Sequence, residues 1–285
     1  MGVLAAMDAL DRRLTGAIQP LTLPLALESL VMPPACLHGY TGTIIIMPCI
    51  WMACCWCLGT IESHGLPGYY LYMYTALCGQ MMSRPLKITL MRPRPGCGDG
   101  DFRPTKPEQL PQRHYLPGSP CFIMAFPEPQ LRAGVLVRIN GWQDGVGSSK
   151  AGTHGGDSGS MPSGDAMGGA AFAALLGWYT PLGLPGAVLY SCLVGFARVF
   201  YWFHWVGDVV VGSLLSCSAS FFVVWCFGGK AKLDVAYPRE KLDPIFGLFD
   251  PTFFGLGVPF FFAFTVATGK IAKWLRARAE AKKVA

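Results

Sequence analysis

Three stretches of the chain carry residue types that belong to one chemistry. In "KITLMRPRP", six residues separate Lys87 from the pair Arg94–Pro95. "PSGD" sets Ser163, Gly164 and Asp165 at the mouth of a long apolar run. In "ARVFYWFHWVGD", five residues separate Arg198 from His204, and three separate His204 from Asp208. Lys87, Arg94 and Arg198 are cations, and the guanidinium fork matches phosphate bidentately. Ser163 and the amides around Gly164 sit where a helix should begin, and free N–H groups and the helix dipole attract anions there. His204 and Asp208, four apart, share one helical face. A carboxylate so placed holds the imidazole in one tautomer and leaves its other nitrogen free to attack. Cations for a phosphate plus an oriented histidine describe phosphoryl transfer without a metal.

Each feature alone has a plainer account. Arg94–Pro95 reads as positive charge beside a membrane span. His204, between Trp202 and Trp205, reads as an interfacial residue. Asp208 reads as an acid favoured by the dipole at a helix start. None of these accounts explains the common order and spacing.

The elements that must position these residues are apolar helices. The chain is 52% hydrophobic and only 14% charged, whereas a soluble domain carries about a quarter charged residues. The apolar excess is clustered, which points to a membrane protein. The net charge of +6 comes from basic residues in loops and forms no single stripe. It therefore argues for membrane topology and against a nucleic-acid partner. Six spans are expected, at 41–61, 66–84, 164–181, 184–203, 205–227 and 250–270. The fold class expected is an all-α, multi-pass transmembrane bundle with a long polar loop insertion. Counting crossings puts all three motifs on one face of the membrane.

The organisation expected is an N-terminal interfacial segment at 1–40, a helical core at 41–228 interrupted by the insertion at 85–163, and a linker, last span and basic tail at 229–285. The stretch 14–37 holds Pro20, Pro24 and Glu28, which favours an interfacial helix over a broken seventh span. "GLPG" occurs at 65–68 and 183–186, each time as a turn before a helix with Pro near its first positions. "AGVLVRINGWQDG" alternates like a hairpin turning at Asn140–Gly141. His38, His64 and His114 are expected at the surface. No cleavable signal is expected from the N-terminal stretch, which lacks a continuous apolar core. Lys282 and Lys283, in the closing "KKVA", resemble a dilysine retrieval signal of the endoplasmic reticulum membrane. Cys97 and Cys121 lie outside the spans, and a disulfide between them would mark an oxidising lumen.

In order and spacing, the three motifs resemble the type 2 phosphatidic acid phosphatase and vanadium haloperoxidase superfamily, over residues 87–208 and the helices around them. The resemblance implies that Lys87, Arg94 and Arg198 hold phosphate while Ser163 and Gly164 donate hydrogen bonds to it. It implies that His204 is the nucleophile, forming a phosphohistidine, and that Asp208 orients it. It implies a membrane lipid phosphate as substrate and no metal or other cofactor. Two positions depart from the family pattern. Ala197 precedes Arg198 where Ser is usual, and Asp165 stands where the family has the histidine that protonates the leaving group.

An aspartate held neutral at pH 7 costs about 4 kcal/mol. Three readings follow. Substrate forces Asp165 neutral and it still serves as acid; or His154 folds over and supplies the proton; or the leaving group needs little protonation, as when a polyprenyl or dolichyl diphosphate releases a monophosphate. A lipid phosphotransferase and a non-catalytic phospholipid-binding protein remain as rival functions.

Overall fold

The apolar runs fold into a bundle of antiparallel helices whose polar ends meet at one level. The structure, a computed structural model, describes residues 3–39, 42–90, 92, 94–95, 106–117, 123–125, 128–133, 136, 159–226, 229–230, 267, 270–271 and 274. Helices α1 (Val3–Ile18) and α2 (Leu25–Leu37) come first. The short helix α3 (Met47–Cys57) follows, flanked by π-helical segments at Gly42–Ile46 and Ile61–Gly65. The bundle proper consists of α4 (Leu66–Leu90), α5 (Gly164–Tyr179), α6 (Gly183–Phe200) and α7 (Val206–Cys226). Helix α5 is central and packs on the other three.

Local sequence explains the starts of these helices. Pro67 and Pro185 fall in first turns, where a missing amide hydrogen costs nothing. Ser163 caps α5, its hydroxyl oxygen accepting from the Ala166 amide at 3.2 Å. At the bundle centre Phe172 is ringed by Trp51, Tyr72 and Tyr190. Near the polar end, α7 lies hard against the start of α5. A Cβ on Gly212 would fall 2.6 Å from the Ser163 carbonyl oxygen, so only glycine permits the approach.

Among the described residues, α6 and α7 are long and apolar enough to cross a membrane, and α2 with 42–57 makes a third candidate if that bent pair is one span. Both long helices turn apolar side chains outward, including Leu184 and Leu189 on α6 and Leu214, Phe221 and Trp225 on α7. Such a surface suits lipid. Of the span expected at 41–61, helix runs unbroken over 42–57, π-helical at first and then α3, and ends at Leu58. These residues reach about 24 Å, somewhat short of the hydrocarbon core. Apart from Ala267 and Lys270, which are helical, the span expected at 250–270 lies outside the described residues, as do Cys97, Cys121, Lys282 and Lys283.

Helix α4 passes its expected end at 84, runs through Pro85 and continues to Leu90. Lys87 therefore sits in a last helical turn, and the insertion starts later than expected. Within the insertion an antiparallel hairpin pairs Tyr115–Pro117 with Ile123–Ala125, so the described residues are not helical throughout. Of the hairpin expected around Asn140, Ala133 and Leu136 are helical, and the remainder with its turn lies outside the described residues.

The stretch 14–37 is not one helix but the end of α1, a turn and α2. Helix α1 turns Met7, Leu10 and Leu14 outward and tucks Asp11 and Thr15 inward. Of the three histidines expected at the surface, His38 is buried and His114 and His64 are half-buried. His38 is 1% exposed, with Nε2 2.7 Å from the Tyr190 hydroxyl. His114 is drawn in by Glu28, a fully buried carboxylate. Glu28 accepts from the His114 amide, the Tyr115 amide and the Tyr201 hydroxyl, and the His114 Nδ1 lies 2.8 Å away. A buried carboxylate requires such partners.

Candidate active site

The site is built around the corner that joins α6 to α7. Arg198 occupies the last turn of α6. The chain then reverses through Trp202, whose φ of 63° lies in the left-handed region. That conformation costs on the order of 1–3 kcal/mol for a non-glycine residue. Packing of Trp202 against Leu110 and Leu136 holds it there. The amides of Phe203 and His204 both donate to the Arg198 carbonyl, at 3.0 and 3.3 Å. His204 thus hangs beside Arg198 by backbone geometry alone.

Helix α7 begins directly afterwards, and Asp208 stands in its first turn. One carboxylate oxygen, Oδ2, accepts from the Trp205 amide at 3.0 Å. The same oxygen faces the His204 Nδ1 at 3.5 Å, a contact longer than a good hydrogen bond. The other oxygen, Oδ1, accepts from Arg92 Nη1 at 3.0 Å, and the Ser160 hydroxyl donates to the same carboxylate. On its far edge the imidazole meets a cation, with Nε2 3.5 Å from Arg94 Nη1. Arg94 is itself steadied by donating to the Phe203 carbonyl at 2.7 Å.

Helix α5 contributes from below. The Ser163 amide donates to the Asp208 carbonyl at 2.9 Å, which ties the starts of α5 and α7 together. Gly164 and Asp165 form the first turn of α5, whose amides have no partner within the helix. The Asp165 carboxylate is ion-paired to Arg198 Nη2. Arg198 also donates through Nη1 to the Ala35 carbonyl at 2.6 Å and lies 3.8 Å over the Phe203 ring. Lys87, from the last turn of α4, interacts electrostatically with Arg94, Arg198, Asp165 and Asp208. Lys87, Arg94, Ser163, Gly164, Asp165, Arg198, His204 and Asp208 therefore meet at one end of the bundle. His154 lies outside the described residues.

Burial, and after it the positive charges of Arg94, Lys87 and Arg198, hold the His204 imidazole well below its ordinary pKa of 6.5. At neutral pH the ring is uncharged. An uncharged imidazole beside a cluster of cations can attack an anion that those cations have bound.

Several residues of this neighbourhood were not singled out from sequence: Arg92, Ser160, and Asp11 and Thr15 of α1. Arg92 carried a signal, since "RPRP" repeats the dipeptide that marks Arg94. Asp11 and Thr15 carried none, because their partners on α7 are 196 and 191 residues distant.

A family model described as the PAP2 superfamily matches residues 68–232. The matched segment runs from the first turn of α4 past the end of α7 and takes in every described member of the cluster. No curated protein and no solved structure matches the chain.

Proposed function

This chain belongs to the PAP2 superfamily, whose members are phosphatases acting on phosphate esters, and we propose that it hydrolyses the phosphate of a membrane lipid through a phosphohistidine on His204. The observation that carries the proposal is the double placement of the imidazole. Its Nδ1 faces Asp208, and its Nε2 faces Arg94. A proton on Nδ1 is favoured by the facing carboxylate and would tighten that 3.5 Å contact, which leaves the lone pair of Nε2 for a phosphate held by Lys87, Arg94 and Arg198.

In the first step Nε2 attacks phosphorus and the bond to the lipid oxygen breaks. The cations balance charge on the equatorial oxygens. Ser163 and the first amides of α5 supply further donors at a helix start. Asp208 balances the charge that develops on the ring. In the second step water attacks the phosphohistidine and releases inorganic phosphate. The lipid tail stays in the bilayer beside the outward apolar faces of α6 and α7. The reading includes six spans and residence in the endoplasmic reticulum, the latter resting on Lys282 and Lys283.

A second observation narrows the substrate. The carboxylate of Asp165 is paired with Arg198, which suits an anion and not a proton donor. A leaving group that needs little protonation fits this arrangement, and a lipid diphosphate releasing a monophosphate supplies one. The test is hydrolysis without added metal by wild type and His204→Ala, offered phosphatidate, sphingoid-base phosphate and polyprenyl diphosphate side by side. Turnover should vanish in the variant, and diphosphate should be the best substrate. Equal behaviour of the two proteins would sink the catalytic reading. Faster cleavage of the monophosphates would sink the diphosphate reading alone. Transfer of phosphate to an added alcohol would point to a phosphotransferase.

A further inference from the structure

We propose that α1, which lies outside the family match, is a working part of this site, and that Arg92, Asp11 and Thr15 position Asp208 behind His204. The inference rests on the proposed role of His204 and deepens it.

Geometry carries the argument. The backbone amides that open α7 have no partner within the helix, and α1 supplies them. Val206 N donates to Thr15 Oγ1 at 3.0 Å, and Gly207 N donates to Asp11 Oδ1 at 2.7 Å. This is an N-cap provided from another helix. The second carboxylate oxygen of Asp11 pairs with Arg92 Nη1 at 2.6 Å, and the same guanidinium nitrogen donates to Asp208 Oδ1 at 3.0 Å. Arg92 Nη2 reaches Asp8 on α1 at 3.2 Å, and its guanidinium lies 5.1 Å over the Trp205 ring. One cation thus bridges α1 to the carboxylate that faces the His204 imidazole. Gly207 is required for the fit, since a Cβ there would fall 2.6 Å from Asp11 Oδ2 and 3.3 Å from Arg92 Nη1.

This arrangement fixes one oxygen of Asp208 on Arg92 and leaves the other directed at the ring. Without Arg92 the carboxylate keeps only the Trp205 amide and the Ser160 hydroxyl and can shift from the ring, and a displacement of about 1 Å at a reacting group costs on the order of 10²-fold in rate. Arg92 also offsets the charge of the carboxylate that the imidazole faces. Its loss should make His204 easier to protonate and move the acid limb of the rate profile to higher pH.

The experiment uses the full chain in detergent micelles, with polyprenyl diphosphate as substrate and wild type, His204→Ala, Arg92→Gln, Arg92→Lys and Thr15→Val as proteins. Arg92→Gln should lower kcat on the order of 10²-fold, leave KM unchanged and raise the acid limb. Arg92→Lys should recover part of kcat and restore the limb. Thr15→Val, which keeps shape but removes the acceptor, should lower kcat with KM intact, and it decides the question if Arg92→Gln does not fold. Wild-type kcat and limb in these variants, or losses confined to KM, would overturn the inference. If wild type and His204→Ala are equally inactive, the catalytic reading fails instead. The clamp is then judged by the His204 imidazole titration in nitrogen-15 NMR, where Arg92→Gln must raise the pKa and an unchanged value refutes it.

Discussion

Replacing Asp165 by Asn separates the two roles that an acid at this position can have. Its carboxylate occupies Arg198 Nη2, so an incoming phosphate must displace it. Asn keeps the shape and removes the charge. The phosphate then no longer competes for one charge-assisted hydrogen bond, worth about 1.5–3 kcal/mol, which corresponds to about 10- to 100-fold tighter binding. The assay is competitive inhibition by inorganic phosphate at pH 7 with polyprenyl diphosphate as substrate. The inhibition constant should fall by that factor while kcat on the diphosphate stays close to wild type. The variant should also melt at lower temperature, because Arg198, only 7% exposed, loses its counter-ion. A protonated Asp165 acting as general acid predicts the opposite pattern. Asn would then cost about 10²–10⁴-fold in kcat without tightening phosphate, and that result would refute the counter-ion account. Asp165→His supplies the complementary test, since a general acid here should speed cleavage of monophosphates more than of diphosphates.

Three further outcomes follow from the same geometry. His204 is held below its ordinary pKa of 6.5 by burial and by Arg94, Lys87 and Arg198, so the acid limb of kcat/KM for the free enzyme should lie below pH 6.5; a limb above that value contradicts the assigned environment. The sign for stability is the same: the folded chain favours the neutral ring, so this contribution is complete above the unfolded pKa of about 6.5 and is lost as pH falls toward the folded value, which His204→Gln should abolish in acid unfolding curves. Gly212→Val should cost about 1–3 kcal/mol because the Ser163 carbonyl leaves no room, and an unchanged melting temperature would show that α5 and α7 are not so close. Glu28→Gln should destabilise by about 3–5 kcal/mol, since a buried acceptor for four donors is replaced by a group that is half donor; a melting curve matching wild type would refute the network.

Legibility of the site from sequence followed the distance over which each interaction acts. Ser163 caps the residue three ahead of it, a local rule that appears in the structure. His204 and Asp208 do face each other at 3.5 Å, but from the corner before α7 and not on one helical face, because His204 precedes the helix that starts at Val206. The convergence of three motifs was legible because antiparallel apolar helices must return their ends to one level. Three things had no local signal. The length of α4 beyond Pro85 depends on packing that offsets a missing hydrogen bond. The burial of His38 depends on Tyr190, 152 residues away. The counter-ion of Arg198 depends on which acid the fold brings beside it.

The last of these bears most on function. Asp165 read as a substituted acid while its surroundings were unknown, because the residue it replaces in the family pattern has that role. Beside Arg198 the same carboxylate is an internal stand-in for the substrate's own negative charge. The buried guanidinium carries its own counter-charge from the same chain. A phosphate that enters must carry enough charge to displace a carboxylate, which a diphosphate with its additional anionic oxygens does better than a monoester. On the proposed function, substrate preference and the missing histidine would be one property of the site: the residue that gives up proton donation would set how much charge the ligand must bring.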